Sequence, residues 1–364
     1  MKRLILLAVA AFAAFPALAS AAAPEDAILR AAAFIKSVQR PDGSYAESPG
    51  QTMDAILAVR AAGYDPARDT VGGKSPADYL VANAASVTSP ASAAKAALAA
   101  KALGLDPRNV GGTNLFQRAQ DGYNAETGAY ADNAFSQSIA ILGLACTGNQ
   151  PGARAADNLK AAAVEGGGWG FGGAADPDTT AIAIQALLAA GLPKTDPAIA
   201  AGFAWLQANQ GNDGGWGYDP SASNTSSTAF AIQALLALGE NPESPAYTKN
   251  GVNPIQYLLS QQLPDGSFAG YDPAFAANQV LPALAGRTFC NAPETPITRQ
   301  RPAATPTPAP SPTAPPTAAP SPTPRPPASG NTAAAPVEAP VAALALAGVL
   351  LALAGASLAA RPRR

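Results

Sequence analysis

The chain has 364 residues, of which 48% are hydrophobic and 13% charged, and it carries a formal net charge of −2 with no histidine. This near-neutral balance argues against a nucleic-acid partner, and the lack of histidine excludes Ser-His-Asp and Cys-His catalytic groups. The length and the apolar content suffice for one domain with a substantial hydrophobic core.

The first 22 residues have the pattern of a secretory signal peptide. The basic start MKR is followed by the apolar run LILLAVAAFAAFPALA, which ends in the small-residue pattern Ala17-Leu18-Ala19. A segment of this kind is removed during export. The sequence therefore predicts a mature domain that starts near residue 23 and lies outside the cytoplasm.

Residues 23–290 contain six strongly apolar segments of helical length, five of which end in glycine. Most begin at Ser or Thr, which cap the first free N–H groups of a helix, and glycine is preferred just beyond a helix end. Alanine, leucine and isoleucine occur on every side of these segments, which predicts helices that are buried all round. The segments are 52–63, 92–104, 136–146, 179–191, 227–239 and 276–286.

A more amphipathic helix is predicted before each apolar one. Six hairpins of one amphipathic and one apolar helix predict an all-α closed double ring, an (α/α)6 toroid whose inner wall is formed by the apolar helices. An open solenoid is the alternative, but it would need polar end caps, which the sequence does not show. The amphipathic segments are 25–39, 76–87, 113–120, 153–165, 197–210 and 253–262.

The composition changes after the helical region. Residues 291–340 are rich in Pro, Thr, Ser and Ala, which prevents helix and sheet pairing and predicts a disordered, extended stalk. Residues 341–360 are apolar and uncharged over a length that spans a bilayer, and three arginines follow within 361–364. By the positive-inside rule, the toroid is expected outside the cytoplasmic membrane, anchored by one C-terminal helix with a short cytoplasmic tail.

A glycine-rich turn with an aromatic residue joins most amphipathic helices to the next apolar one. The clearest copy is QGNDGGW at 210–216, and QLPDGSF at 262–268 and QRPDGSY at 39–45 are close variants. This pattern resembles the QW repeat of the prenyltransferase and squalene-oxidase superfamily. That superfamily includes terpenoid cyclases, protein prenyltransferases, the thioester domain of complement-like proteins, and the cobalamin carriers transcobalamin and intrinsic factor. The resemblance implies an α/α toroid in which the Gln and the aromatic residue tie neighbouring hairpins together.

One short stretch is similar to the catalytic motif of class II terpenoid cyclases. These enzymes carry Asp-x-Asp-Asp-Thr-Ala at the head of an inner helix, and the middle Asp donates a proton to an alkene. The stretch DPDTTA at 176–181 places Asp178 at the position of that acid, with Asp176 before it, but Thr179 replaces the following Asp. This departure favours Asp178 as a helix N-cap, and a degenerate cyclase-like isomerase with Asp178 as its acid is the alternative.

Other chemistry of the superfamily has no matching residues in this chain. A zinc site of the prenyltransferase kind needs several N or S ligands, whereas the chain has no histidine and two distant cysteines. The thioester motif Gly-Cys-Gly-Glu-Gln is absent. No metal and no cofactor are therefore expected. The resemblance to the carriers leaves cobalamin open, but those proteins hold it against a following β-domain, and here the stalk follows the toroid.

The loops before the apolar helices combine acidic residues with aromatic rings. Such loops suit sugars, cations or Ca²⁺, and they equally suit ordinary Asp-Gly turns, which we favour for each acid taken singly. Basic residues occur in the opposite connections, so positive charge is expected at the other end of the ring. A ligand is expected in a cleft over the ring's centre, framed by Tyr130, Trp169, Trp216, Tyr218 and Tyr271, although the tryptophans are interpreted mainly as clamps. The stretches without Lys or Arg are 121–135, 165–181, 211–229 and 263–277.

The two cysteines lie on opposite sides of the predicted ring. Cys146 ends the third apolar helix and Cys290 follows the sixth. A disulfide requires Cα atoms within roughly 7 Å of each other. Such a bond is therefore expected only if the tail after Gly286 runs inward under the floor of the ring.

These features favour a membrane-anchored extracytoplasmic toroid that binds or recognises a ligand without catalysis. Its partner would be a small molecule, a glycan or a surface component, with corrinoid and apolar ligands as candidates. Two alternatives stay open at this point: the degenerate terpenoid- or squalene-cyclase-like enzyme, and a glycan-binding or glycan-active (α/α)6 barrel.

Overall fold

The computed structural model describes residues 24–171 and 173–292. The predicted signal peptide, the linker beyond residue 292, the predicted membrane helix and the cytoplasmic tail lie outside these residues. Within the described part of the chain, none of the helices combines the length and the apolarity that crossing a bilayer requires.

The described residues form helical hairpins in two layers. The outer helices are α1 (Pro24–Ser37), α3 (Pro76–Asn83), α5 (Leu115–Asp121), α7 (Ala155–Ala161), α9 (Pro197–Ala208) and α11 (Pro254–Ser260). The inner helices are α2 (Pro49–Ala61), α4 (Pro90–Ala102), α6 (Ala134–Cys146), α8 (Pro177–Ala189), α10 (Thr225–Leu238) and α12 (Pro273–Leu284). Three short 3₁₀ turns, Pro66–Arg68, Ala84–Ser86 and Pro245–Tyr247, lie in the connections.

A small antiparallel hairpin precedes α10. Strand β1 (Trp216–Asp219) pairs with β2 (Ala222–Asn224), with Trp216 opposite Asn224 and Asp219 opposite Ala222. The register is irregular between these two pairs, as at a β-bulge.

The inner helices begin at polar caps and consist of small apolar residues that pack closely. Most start with a side chain that accepts a backbone N–H bond of the first turn, and proline often follows at the first helical position, where its missing N–H costs nothing. The side chains that cap inner helices in this way are Ser89, Asn133, Asp176, Asn224 and Asp272.

The inner helices close into a ring. Each packs against the next in chain order from α2 to α12, and α12 packs against α2. The closure is sealed on the outer layer as well, because Gln262 Nε2 donates to the Ala27 carbonyl of α1 at 2.9 Å. The six-hairpin toroid is therefore confirmed, and the open solenoid is wrong.

The glutamines of the repeat join neighbouring hairpins. Gln210 Nε2 donates to the Tyr247 carbonyl of the following hairpin at 2.7 Å, and Gln39 Nε2 donates to the Asp69 carbonyl at 3.1 Å. The tryptophans hold their own hairpins: Trp216 Nε1 donates to Leu206 of α9 at 2.8 Å. The interpretation of the repeat as a structural clamp agrees with these bonds.

Glycine in the repeat turn permits this close approach. Gly214 has φ +87°, and a Cβ atom there would lie 2.5 Å from the Val252 carbonyl oxygen. Any side chain would be strained by the backbone angle and would also collide with the next hairpin.

Side chains from non-neighbouring inner helices meet inside the ring. Phe135 of α6 and Phe230 of α10 contact edge to face, with centroids 6.1 Å apart, although α8 lies between their helices. On the other side, residues of α2, α4 and α6 enclose a cavity of about 20 Å³ beside the ion pair of Asp54 and Lys95. A cavity of that volume holds about one water molecule.

The tail after α12 crosses the floor of the ring. Phe289 packs against Leu57 and Leu98, which lie on α2 and α4. Cys290 is joined to Cys146 in a disulfide with Cα atoms 5.0 Å apart. The tail thus takes the inward route that this bond requires.

The expectation that positive charge gathers at the opposite end of the ring is wrong for part of the chain. Arg154 donates to the Glu126 carbonyl, which belongs to the loop before α6. The reason is that each connection ends at an outer helix whose first turn lies beside the preceding glycine turn.

Candidate functional site

The five aromatic residues expected around a ligand separate into two groups. Trp169, Trp216 and Tyr130 are buried, with at most 4% of each side chain exposed, and they pack inside the protein. Tyr218 and Tyr271 are exposed by 60% and 85%. The first three therefore do not frame an open cleft.

The N-cap of α8 is Asp176, which corrects the interpretation of Asp178 as the cap. Asp176 Oδ1 accepts from the Thr179 amide at 2.7 Å, and Oδ2 accepts from the Thr179 hydroxyl at 2.9 Å and the Phe171 amide at 3.1 Å. Pro177 is the first helical residue, so Asp178 already lies inside the first turn. Asn224 has the same capping role at the start of α10.

Asp178 is a half-buried carboxyl beneath an exposed ring. Its Oδ2 accepts from the Tyr218 hydroxyl at 3.2 Å, and Tyr218 lies on the hairpin before the next inner helix. Its Oδ1 is shielded from solvent and has no hydrogen-bond partner among the described residues.

This environment raises the pKa of Asp178 to about 7. Burial is the largest cause of this rise, and the negative charge of Asp176 raises the pKa further. The hydroxyls of Ser227 and Tyr218 lower the pKa and so oppose the rise. Burial of the phenol oxygen, with the charges of Asp178 and Asp176, raises the pKa of Tyr218, although its ring face is open to solvent. A carboxyl that is about half protonated at neutral pH can donate or accept a proton.

The other acids of these loops serve as turn and cap residues. Asp219 accepts from the Ser221 amide and hydroxyl, each at 2.8 Å. Asp272 caps α12 and accepts from Gln51 Nε2 at 2.8 Å. Asp213 and Asp265 make the same kind of turn with the residues that follow them. The turn interpretation is confirmed for these positions.

Sequence reasoning missed the ion pair inside the ring. Asp54 of α2 and Lys95 of α4 are 2.5 Å apart, and burial raises the pKa of Asp54 while Lys95 lowers it. The available signal was the presence of Asp54 and Lys95 in largely apolar segments, which also contain Arg60 and Lys101. In the described part of the chain, no group of three or more His, Cys, Asp or Glu residues could hold a metal ion.

Comparison with known proteins places this geometry in context. The family model of the squalene-hopene cyclase C-terminal domain matches residues 137–279, which include α8 and its two acids. The apo type II terpene cyclase MstE from Scytonema is similar with a TM-score of 0.53 at 15% identity, over 72% of this chain and 97% of that chain. A variant of that cyclase in complex with geranylgeranyl dihydroxybenzoate (substrate) has a TM-score of 0.50 at 15% identity, over 72% and 97%. No curated protein matches the sequence.

Residues 137–279 are thus similar in sequence to the squalene-hopene cyclase C-terminal domain, and the chain has a fold similar to that of type II terpene cyclases. At 15% identity the structural likeness concerns the fold. In this toroid, Thr179 directs its hydroxyl to Asp176 and not to Asp178.

Proposed function

We propose that the protein is a non-catalytic recognition module that binds its ligand on the outer surface at the heads of α8, α10 and α12. The observation that carries this proposal is the exposure of an aromatic side chain before each of these three helices. Phe171, Tyr218 and Tyr271 are 56%, 60% and 85% exposed. Large exposed rings clustered on a rigid scaffold are typical of binding surfaces. We call the three residues the aromatic rim.

The interior of the ring leaves little space for a ligand, which supports a binding site on the outer surface. Small-molecule sites are usually cavities of roughly 300–1,000 Å³. The cavity among the inner helices beside Asp54 and Lys95 measures about 20 Å³, and the larger one, of about 430 Å³, lies at the head of α6 beside the outer helix α7. The Phe135–Phe230 contact narrows the interior near α8, and Phe289 covers it from the floor. A ligand on the aromatic rim needs no rearrangement of these side chains.

The proposal is tested by ligand capture with the full chain. The protein is incubated with aqueous and organic cell extracts and with a panel that includes a corrinoid and polyprenyl compounds, and bound molecules are identified by mass spectrometry. We expect a retained ligand that is lost in the Tyr218→Ala/Tyr271→Ala double variant. Equal retention by the folded double variant contradicts a site on the rim, and so does the absence of any ligand.

Acid catalysis at Asp178 is a second candidate, which the raised pKa and the free Oδ1 of this residue favour. In that role Asp178 would donate its proton to an alkene, as the resemblance to class II cyclases implies. The full chain is incubated with linear polyprenyl substrates, and products are separated by gas chromatography. A cyclic product that is lost in Asp178→Asn but kept in Asp219→Asn would establish the enzyme. No product from any substrate removes this candidate.

A further inference from the structure

We propose that the aromatic rim binds a neutral glycan chain, which stacks its sugar rings on Phe171, Tyr218 and Tyr271. This inference rests on the proposed recognition function and names its ligand class. It is narrower than the proposed recognition function. If it is right, small apolar molecules, anionic polymers and basic peptides are not expected to bind to the aromatic rim.

The three exposed rings occupy similar positions in successive repeats. Each follows a buried clamp residue by two or three positions: Phe171 after Trp169, Tyr218 after Trp216, and Tyr271 after Phe268. Adjacent inner helices are about 8–10 Å apart, and the three rings precede three successive inner helices. This separation is comparable to the length of a disaccharide unit, which suits a chain of several sugars better than a single one.

The loops that carry the rings are tied to the inner helices. The Phe171 amide donates to Asp176, and the Tyr218 hydroxyl donates to Asp178. The loop before Tyr271 is held by the Thr225 hydroxyl, which donates to the Ala269 carbonyl at 2.6 Å. Rings held in this way lose little conformational freedom when a ligand stacks on them.

The charges of the rim favour a neutral partner. The stretches 165–181, 211–229 and 263–277 contain no Lys or Arg, so an anionic ligand has no counter-charge there. Five of the seven carboxylates in these loops already accept bonds from their own turns and caps, so fewer of their oxygens are available to a cation. They include Asp176, Asp213, Asp219, Asp265 and Asp272.

A neutral sugar meets both remaining properties of the surface. Its C–H faces stack on aromatic rings, and its hydroxyls bond to backbone carbonyls and amides of the polar loops between them. The filled interior directs the ligand to the outside of the ring, where a long chain can cross several repeats without entering a cavity.

The experiment measures binding of the full chain to defined polymers. Affinity electrophoresis is run in soluble β-glucan and mannan, and pull-down is run with cellulose and chitin. Heparin and polylysine serve as the anionic and cationic probes. The variants are Tyr218→Ala, Tyr271→Ala and Tyr218→Phe, and the matched control is Val81→Ala, which removes an exposed apolar side chain of α3.

We expect one or more neutral polymers to bind, and each alanine variant to weaken that binding roughly tenfold. Tyr218→Phe should weaken binding less than Tyr218→Ala, because it keeps the ring and removes only the hydroxyl bond to Asp178. Val81→Ala should bind like the original protein. The same pattern confirms stacking as the source of affinity.

Three results overturn the glycan inference. The first is binding of polylysine or heparin that depends on Tyr218 and Tyr271, and the second is glycan binding unchanged in both alanine variants. The third is that no glycan binds, but a non-glycan ligand is captured from extracts and is lost in the double variant. That result would still support the proposed recognition function. Absence of every ligand overturns both proposals.

Discussion

The hydroxyl of Tyr218 lies 3.2 Å from Oδ2 of Asp178, so that the hairpin of one repeat covers a carboxyl at the head of the neighbouring inner helix. Tyr218 is 60% exposed although its hydroxyl is hydrogen-bonded to Asp178. The same side chain therefore belongs to a binding surface and to the environment that controls the ionisation of Asp178.

Stability should fall as the pH rises from about 4 to 8, and Asp178 should account for part of this fall. Its pKa is about 7 in the folded chain against an ordinary value of 3.8, so the folded state binds more protons than the unfolded state in this window. In Asp178→Asn this contribution is removed. In urea unfolding, the free energy of unfolding of Asp178→Asn should rise relative to that of the original protein by at most about 4 kcal/mol between pH 4 and pH 8. A stability difference that does not change with pH contradicts the raised pKa.

The capping role of Asp176 predicts a different response. Asp176→Ala removes the acceptor of the Thr179 and Phe171 amides and should lower the free energy of unfolding by about 1–2 kcal/mol. Asn224→Ala, at the equivalent cap of α10, should cost about 1 kcal/mol. Denaturant curves measure both. A cost in Asp178→Ala at pH 7 that exceeds the cost in Asp176→Ala would return the capping role to Asp178.

The contrast between Asp176 and Asp178 shows which features of this protein can be predicted from its sequence. Helix positions and the clamps followed from alanine-rich segments and glycine turns, and the structure agrees with them. Two acids near one helix start could each have been its cap, and the signal that decides was Pro177, because proline at the first helical position assigns the cap to the residue before it. That signal is present in the sequence itself.

Other features depended on three-dimensional arrangement. Trp216 and Tyr218 are two residues apart, and regular strand alternation places such residues on the same face. In β1, where the register is irregular, Tyr218 is exposed while Trp216 is buried. The pairing of Asp54 with Lys95 likewise depends on how α2 and α4 are rotated towards the interior, which a single sequence does not specify.

The disulfide should contribute strongly to stability. It links residues 144 apart, and closing a loop of this length is worth about 5 kcal/mol in the chain-entropy treatment. The Cys146→Ser/Cys290→Ser variant should therefore unfold at a much lower urea concentration. Phe289→Ala, with the bond intact, should cost about 3 kcal/mol through lost packing on Leu57 and Leu98. Two reactive thiols in the unfolded, unreduced protein would show that the bond does not form.

Residues 341–360 should anchor the protein in a membrane. Deleting 337–364 removes this apolar run and should move the protein from the membrane pellet to the medium, as measured by fractionation and immunoblotting. A deletion of equal length that starts in the Pro-rich stretch, of 305–332, should leave the protein in the pellet. Recovery of the shorter chain in the pellet contradicts the anchor.

Removing one partner of the Asp54–Lys95 pair should lower the free energy of unfolding strongly, whereas replacing both partners by apolar residues should lower it little. The two groups meet beside apolar side chains of α2, α4 and α6, where removing one partner leaves an uncompensated charge. Lys95→Met alone should destabilise by about 3–5 kcal/mol, and so should Asp54→Leu alone. The double variant should recover most of this loss, because a buried ion pair can often be replaced by apolar residues of similar size. A double-mutant cycle in urea measures the coupling. Simple addition of the two single losses would show that the pair makes no specific contribution, and the interior of the ring would then depend on packing alone.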